Sequence, residues 1–195
     1  MTTYHPIEPD ELETLRRLYG PFPVESVTLP VSEAFFVQGR TPIGTMRRAE
    51  VLLVLQAPDR RILLHTKRFY PPGVLRLPTG GIRNGESVED ALRREVKEET
   101  GLNVREHRLL GVLLYDILFG EKHVPFASYA YWVRAHSKDV APEDAEEEIS
   151  AFRWVLPEEL PRITEALRHV PPAWQDWSRF RRLGHEFVIR HWKEE

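Results

Sequence analysis

Residues 80–102 read GGIRNGESVEDALRREVKEETGL, and the register of that segment decides the fold. A helix numbered from Val88 at about 100° per residue puts Val88, Ala91 and Leu92 on one face with Glu95 and Glu99, and Glu98 beside them. The apolar stripe therefore runs into carboxylates. Anions near a helix C-terminus oppose the macrodipole, and carboxylates withdrawn from water cost several kcal/mol unless a positive charge neutralises them. Oxygen-only ligation suits a hard divalent cation such as Mg²⁺ or Mn²⁺. Arg94, one turn before Glu98, is placed to orient a carboxylate by a charge-assisted hydrogen bond. Ser87 with Asp90 three residues on predicts the N-cap, and Gly101 the left-handed C′ position, so the helix spans about 13 residues. Before it, Gly80, Gly81 and Asn84-Gly85 make a loop whose bare backbone can approach a ligand.

Gly80, five residues, Glu86, seven residues, Arg94-Glu95, then Val96, Lys97, Glu98-Glu99, Thr100, Gly101 and Leu102 resembles the complete Nudix box, with no position departing from it. The resemblance implies a Nudix-type α/β/α sandwich and a Mg²⁺-dependent hydrolase, in which Mn²⁺ can substitute, of the phosphoanhydride in a nucleoside diphosphate linked to X. It also implies site roles: Glu95 and Glu99 as principal metal ligands, Glu98 as a further ligand or proton acceptor, the Thr79 carbonyl as a backbone ligand, and Arg94 and Glu86 holding that set in place. A glutamate outside the box, in a loop before the late strand, often supplies another ligand or the general base in such hydrolases; Glu147 and Glu148 are the candidates. The rival from another class is a Nudix-like nucleotide sensor that binds without cleaving, and loss of box glutamates would favour it. None is lost.

Set against this, glutamate-rich helix ends are usually solvated faces stabilised by pairs four residues apart. The inward register and the glycine loop at the family's spacing weigh against that reading here. The downstream proline of many ADP-ribose hydrolases would fall near Ile117, where none stands, so the sequence leaves X and the base open.

Composition agrees with an enzyme of small phosphorylated ligands. The 195 residues, 42% of them hydrophobic, suffice for one sizeable core. A net charge of −3 and a pI near 6.3 argue against a broad cationic surface for extended nucleic acid. Local clusters remain, among them Lys67-Arg68, and a pocket needs only a few such side chains to hold phosphates. Tyr70, with Phe69, Tyr115 and Phe119, is a candidate to stack on a base. There is no cysteine, hence no disulfide and no thiolate site. MTTYHPIEPDELETL has neither a basic n-region nor an apolar h-region, and no apolar run approaches 18 residues, so the expectation is a cytoplasmic protein that does not touch membranes. Self-association into a homodimer is an expectation of the resemblance alone.

Outward from the box, residues 1–44 read as an N-terminal extension: a helix from Asp10 to Tyr19, then extended Ser26–Leu29 and Ala34–Gln38, forming a small sheet or packing on a partner. Residues 45–160 read as the catalytic domain. Its strands are Ala49–Gln56, Ile62–Lys67, Val74–Leu77, Val104–Tyr115, Pro125–Ala135 and Ile149–Leu156, with a loop around Phe119 to His123 placed to cover the substrate and a short helix from Pro157. Residues 161–195 read as a helical extension whose Trp174, Trp177, Phe180 or Arg181, Gly184, Phe187, Val188 and Trp192 form a packing face rather than a stacking surface, with His185 and His191 structural. Mixed strands around one helix with another behind suit an α/β/α sandwich.

Overall fold

The computed structural model describes residues 6–37, 47–142 and 148–193. In chain order these form α1 (Glu11–Tyr19), β1 (Val24–Pro30), α2 (Glu33–Val37), β2 (Arg47–Gln56), β3 (Ile62–Lys67), β4 (Thr79–Arg83), α3 (Val88–Thr100), β5 (His107–Phe119), β6 (Lys122–Arg134), β7 (Ile149–Val155), α4 (Leu160–Ala166) and α5 (Gln175–His191). The strands make one mixed sheet in the order β1-β5-β6-β2-β3-β7, with β4 paired to β2.

The run VLLVL in β2 is continuous because both faces of the sheet are covered. Alternate residues then part company. Val51, Leu53 and Leu55 bury against Val88, Ala91, Leu92 and Val96 of α3, while Leu52 and Val54 bury against Trp177, Phe180, Phe187 and Val188 of α5. The result is the expected α/β/α sandwich.

One edge of β2 is shared between two strands, and this positions the site. Gln56 pairs with Ile62 at the start of β3, after which β3 leaves to pair with β7. The vacated first half of β2 takes β4 instead, from Leu52 opposite Thr79 to Arg47 opposite Arg83. The glycine segment is thus pinned to the most buried strand, directly before α3.

Four sequence expectations are corrected. The N-terminal piece builds no sheet of its own, since β1 joins the main sheet as a parallel edge strand, Val24 opposite Val112 through Pro30 opposite Leu118. Within Ala34–Gln38 the described residues are helical, which carries Phe35 into an edge-to-face contact with Phe180; Gln38 lies outside the described residues. Val74–Leu77 forms no ladder strand, only the bridge between His65 and Arg76, because Pro71, Pro72 and Pro78 around it have no N–H to donate. Phe119 to His123 is not an open loop: Phe119 pairs with Lys122 and Leu118 with His123 across a tight turn at Gly120 and Glu121.

Candidate active site

The helix α3 is delimited as its caps predict. Ser87 Oγ accepts from the Asp90 N–H at 3.1 Å, and Gly101, at φ 71°, donates its N–H to the Lys97 carbonyl. With those ends fixed, Glu95 and Glu99 lie inward at 3% and 1% exposure, while the Glu98 side chain keeps 33%. Glu95 lies flat against Gly80, where a Cβ would stand 2.0 Å from its Cγ, so only glycine fits there without moving the carboxylate.

Arg94 is the hub. Its Nε and Nη2 fork onto the Glu86 carboxylate at 2.7 and 2.8 Å, its Nη1 donates to Glu95 at 2.6 Å and Glu98 at 2.9 Å, and Nη2 also reaches the Gly81 carbonyl at 2.8 Å. Its bond to Glu86 first, and then those to Glu95 and Glu98, hold the guanidinium above its ordinary pKa against burial. Burial pushes the Glu86 carboxyl upward, but Arg94 and the Arg83 N–H outweigh it and hold the group below its usual range. Three carboxylates, Glu86, Glu95 and Glu98, thus share one guanidinium in a partly buried place, and Glu99 is buried on the same helix.

The donor chemistry, oxygen only and anionic, fits a hard divalent ion. Among the described residues no three acidic or histidine side chains converge closely enough to hold a metal as they stand; Arg94 Nη1 instead spans Glu95 and Glu98. Glu95 gives Arg94 its Oε1 and Glu98 its Oε2, so the second oxygen of each carboxylate would be the one to serve an ion.

Of the other predicted site residues, the Thr79 hydroxyl accepts from Arg76 at 3.0 Å and from Arg181 at 3.3 Å. Gly81 backs onto the Arg47 side chain. Lys67 ends β3, and the Arg68 N–H donates to the Glu148 carbonyl at 3.0 Å, which sets Glu148, at φ 51°, beside that basic pair. Glu147 lies outside the described residues. Tyr70 is not brought to a ligand face: its hydroxyl accepts from Arg76 Nε at 2.8 Å, and its ring packs on Trp177 with centroids 4.7 Å apart. Tyr115 is likewise buried, against Phe180. Both aromatics belong to the α5 side of the core, where Phe69, Trp174 and Trp177 surround Tyr70 and Phe126 and Phe180 surround Tyr115.

One buried charge on β2, opposite Gly81, escaped the sequence reading. Glu50 accepts from Ser128 Oγ and Arg181 Nη1, both at 2.8 Å, forming a buried ion pair between β2 and α5. A charged residue inside the apolar run of β2 was its available signal. His185 is structural, as expected: Nε2 accepts the Leu77 N–H at 3.0 Å, and Nδ1 meets Thr164 Oγ1 at 3.1 Å. Because the Thr164 hydroxyl donates to the Leu160 carbonyl, Nδ1 carries the proton. Burial first, then Arg76 and Arg181, push this imidazole down to about 3. His191 pairs with Glu25.

The model of the NUDIX domain matches residues 46–174. An RNA pyrophosphohydrolase of Caulobacter vibrioides is 32% identical over 60% of this chain and 76% of its own length. The NAD-capped RNA hydrolase NUDT12 of Macaca fascicularis is 41% identical over 28% of this chain, and the chain spans only 12% of that relative's length. A MutT NUDIX hydrolase from Burkholderia pseudomallei has the same fold, with a TM-score of 0.50 at 24% identity, covering 73% of this chain and 97% of that one. Among the described residues no helix is long and apolar enough to cross a membrane.

Proposed function

The chain belongs to the NUDIX family, and from that premise we propose that it hydrolyses a phosphoanhydride bond in a nucleoside diphosphate linked to X, with Mg²⁺ as the cofactor and Mn²⁺ able to replace it. The observation that carries the reading is the burial of Glu95 and Glu99 at 3% and 1% exposure next to a glycine strand that leaves room for them. Arg94 offsets part of the cost of burying these carboxylates, and a bound divalent ion would offset more of it.

In this account Glu95, Glu99, Glu98 and the Thr79 carbonyl hold the ion, and Glu86 and Arg94 keep those carboxylates within reach of it. When bound, the ion supplies Lewis-acid neutralisation of the charge that builds on the pyrophosphate oxygens. Water attacks one phosphorus, the P–O bond to the bridging oxygen breaks, and two phosphate-bearing products leave. The proton of that water goes to a carboxylate: Glu98, the most exposed of the box set, or Glu147 or Glu148 from the late loop. Lys67, Arg68 and the Gly80-Gly81 backbone meet the substrate's phosphates. Residues 45–160 form the hydrolase unit of this reading, with 1–44 as an N-terminal and 161–195 as a C-terminal helical extension, and the cytoplasm is the compartment it assigns.

A screen with and without Mg²⁺ tests this, using nucleoside triphosphates, nucleotide sugars, ADP-ribose, dinucleotides, coenzyme A, and oligonucleotides bearing a triphosphate or NAD at the 5′ end. Product masses give the cleaved bond. Tight nucleotide binding with no Mg²⁺-dependent cleavage of any of them would replace the hydrolase with a sensor.

A further inference from the structure

The N-terminal helix is fastened to the loop that carries Glu86. Arg48, on β2, is 1% exposed, and its guanidinium forks onto Glu11 of α1, with Nη1 to Oε2 at 3.0 Å and Nη2 to Oε1 beside it. Nη1 donates also to the Pro6 carbonyl at 3.0 Å, and Nη2 to the Glu86 carbonyl at 3.1 Å. The Glu86 carboxylate grips Arg94, and Arg94 grips Glu95 and Glu98. One chain of charge-assisted hydrogen bonds therefore runs from α1 to the inward carboxylates. Tyr129, on β6, donates to the same Glu11 Oε2 that accepts from Arg48 Nη1.

A second tie runs in parallel to the first turn of α3. The Tyr19 hydroxyl, from the end of α1, donates to Glu89, which also takes Tyr131 at 3.1 Å and His107 at 2.8 Å. Both ties land on the short stretch from Glu86 to Glu89, which follows a turn with Gly85 at φ 77°. A glycine turn on its own would let the Glu86 peptide rotate, and catalytic groups tolerate only about 0.5 Å of misplacement.

We infer that Arg48 is a positioning residue of the active site, oriented by Glu11 at the start of α1. Arg48 does not touch the reacting atoms; it holds the Glu86 peptide, and through Glu86 it sets Arg94 and the two carboxylates that Arg94 holds. The inference rests on the hydrolase reading above.

The test compares Arg48→Lys and Glu11→Gln with wild type and with Leu15→Ala, which cuts a cavity under α1 (Leu15 is 3% exposed) without touching the polar chain. Three quantities are read well below the melting temperatures: amide exchange of residues 83–87 in metal-free protein, Mn²⁺ affinity by titration, and kcat and KM with Mg²⁺. Both polar variants should exchange those amides at least tenfold faster, bind Mn²⁺ at least tenfold more weakly and lose kcat at little change in KM. Leu15→Ala should lower the melting temperature and leave all three near wild type. Active wild type with Arg48→Lys and Glu11→Gln unchanged in exchange, Mn²⁺ affinity and kcat overturns the assignment of Arg48 alone. Wild type that neither binds Mn²⁺ nor hydrolyses any substrate overturns the hydrolase reading and, with it, the role given to Arg48.

Discussion

Gly80→Ala isolates the fit between the glycine strand and the inward carboxylate. The φ of Gly80 is not in the left-handed region, so the backbone accepts alanine and the whole effect comes from the added methyl. That methyl would stand 2.0 Å from Glu95 Cγ, 2.1 Å from Cδ and 2.3 Å from Oε2, against an ordinary contact of 3.4 Å. Glu95 must therefore withdraw by about 1.4 Å, the difference between 3.4 and 2.0, which takes it off its bond to Arg94. Overpacking of this kind costs about 1–3 kcal/mol, and each kcal/mol lowers the Tm of a chain this long by about 2–4 °C. A ligand displaced by more than 1 Å costs on the order of 100-fold in rate. Thermal melts, Mn²⁺ titration and kcat with Mg²⁺ together give the assay. Gly120→Ala is the control, because nothing lies within 4 Å of its Cβ, only its φ of 58° is strained, and it sits in the β5–β6 turn rather than beside Glu86. It should lose about 1 kcal/mol of stability and keep its Mn²⁺ affinity. Gly80→Ala with native Tm, Mn²⁺ affinity and kcat would refute the placement of Glu95.

The buried histidine gives a pH dependence of definite sign. His185 has a folded pKa of about 3 against an ordinary 6.5, so the unfolded chain takes up the proton first. The stability that neutral His185 contributes is complete above pH 6.5 and is lost as pH falls from there toward 3, at up to about 1.4 kcal/mol per pH unit. His65, which burial and then Arg76, Lys67 and Arg181 hold well below its ordinary value, adds a loss of the same sign. Denaturant melts of His185→Gln should show a shallower fall across that window, and an unchanged slope would reject it. Arg181→Met strands Glu50 in the interior with Ser128 as its remaining hydrogen-bond donor, and should cost about 3–5 kcal/mol. Adding Glu50→Gln should recover part of that in urea melts; no recovery would mean that Arg181 acts through packing alone.

What the sequence disclosed and what it hid divide on locality. The helix α3, its Ser87 and Gly101 caps and its inward glutamates follow from a 3.6-residue period and from capping chemistry, both contained within neighbouring residues. The strands β2, β3 and β7 follow from apolar runs between turn signals in the same way. Long-range pairing left no such trace. Nothing near Val24–Pro30 shows that this segment joins β5 in parallel, more than 80 residues away in sequence, and nothing near Arg48 shows that it pairs with Glu11 across 37 positions. The hairpin turn at Gly120 was missed because Lys122 and His123 read as polar loop, whereas register against Phe119 and Leu118 decides it. Tyr70 read as a stacking aromatic on composition; its place in the core depends on Trp174 and Trp177, which α5 and the turn before it bring from 100 residues on.

The central claim is that the inward glutamates of α3 are a divalent-cation site. The most direct measurement is the Tm of the metal-free protein as Mg²⁺ is added, because an ion bound only by the folded state raises it by mass action, by about 2.7 kcal/mol of stability at 100 times the Kd. Wild type should rise with Mg²⁺ and the Glu95→Gln, Glu99→Gln double variant should show little or none of that rise. Equal shifts in the two proteins, or no shift in wild type at millimolar Mg²⁺, would contradict the account.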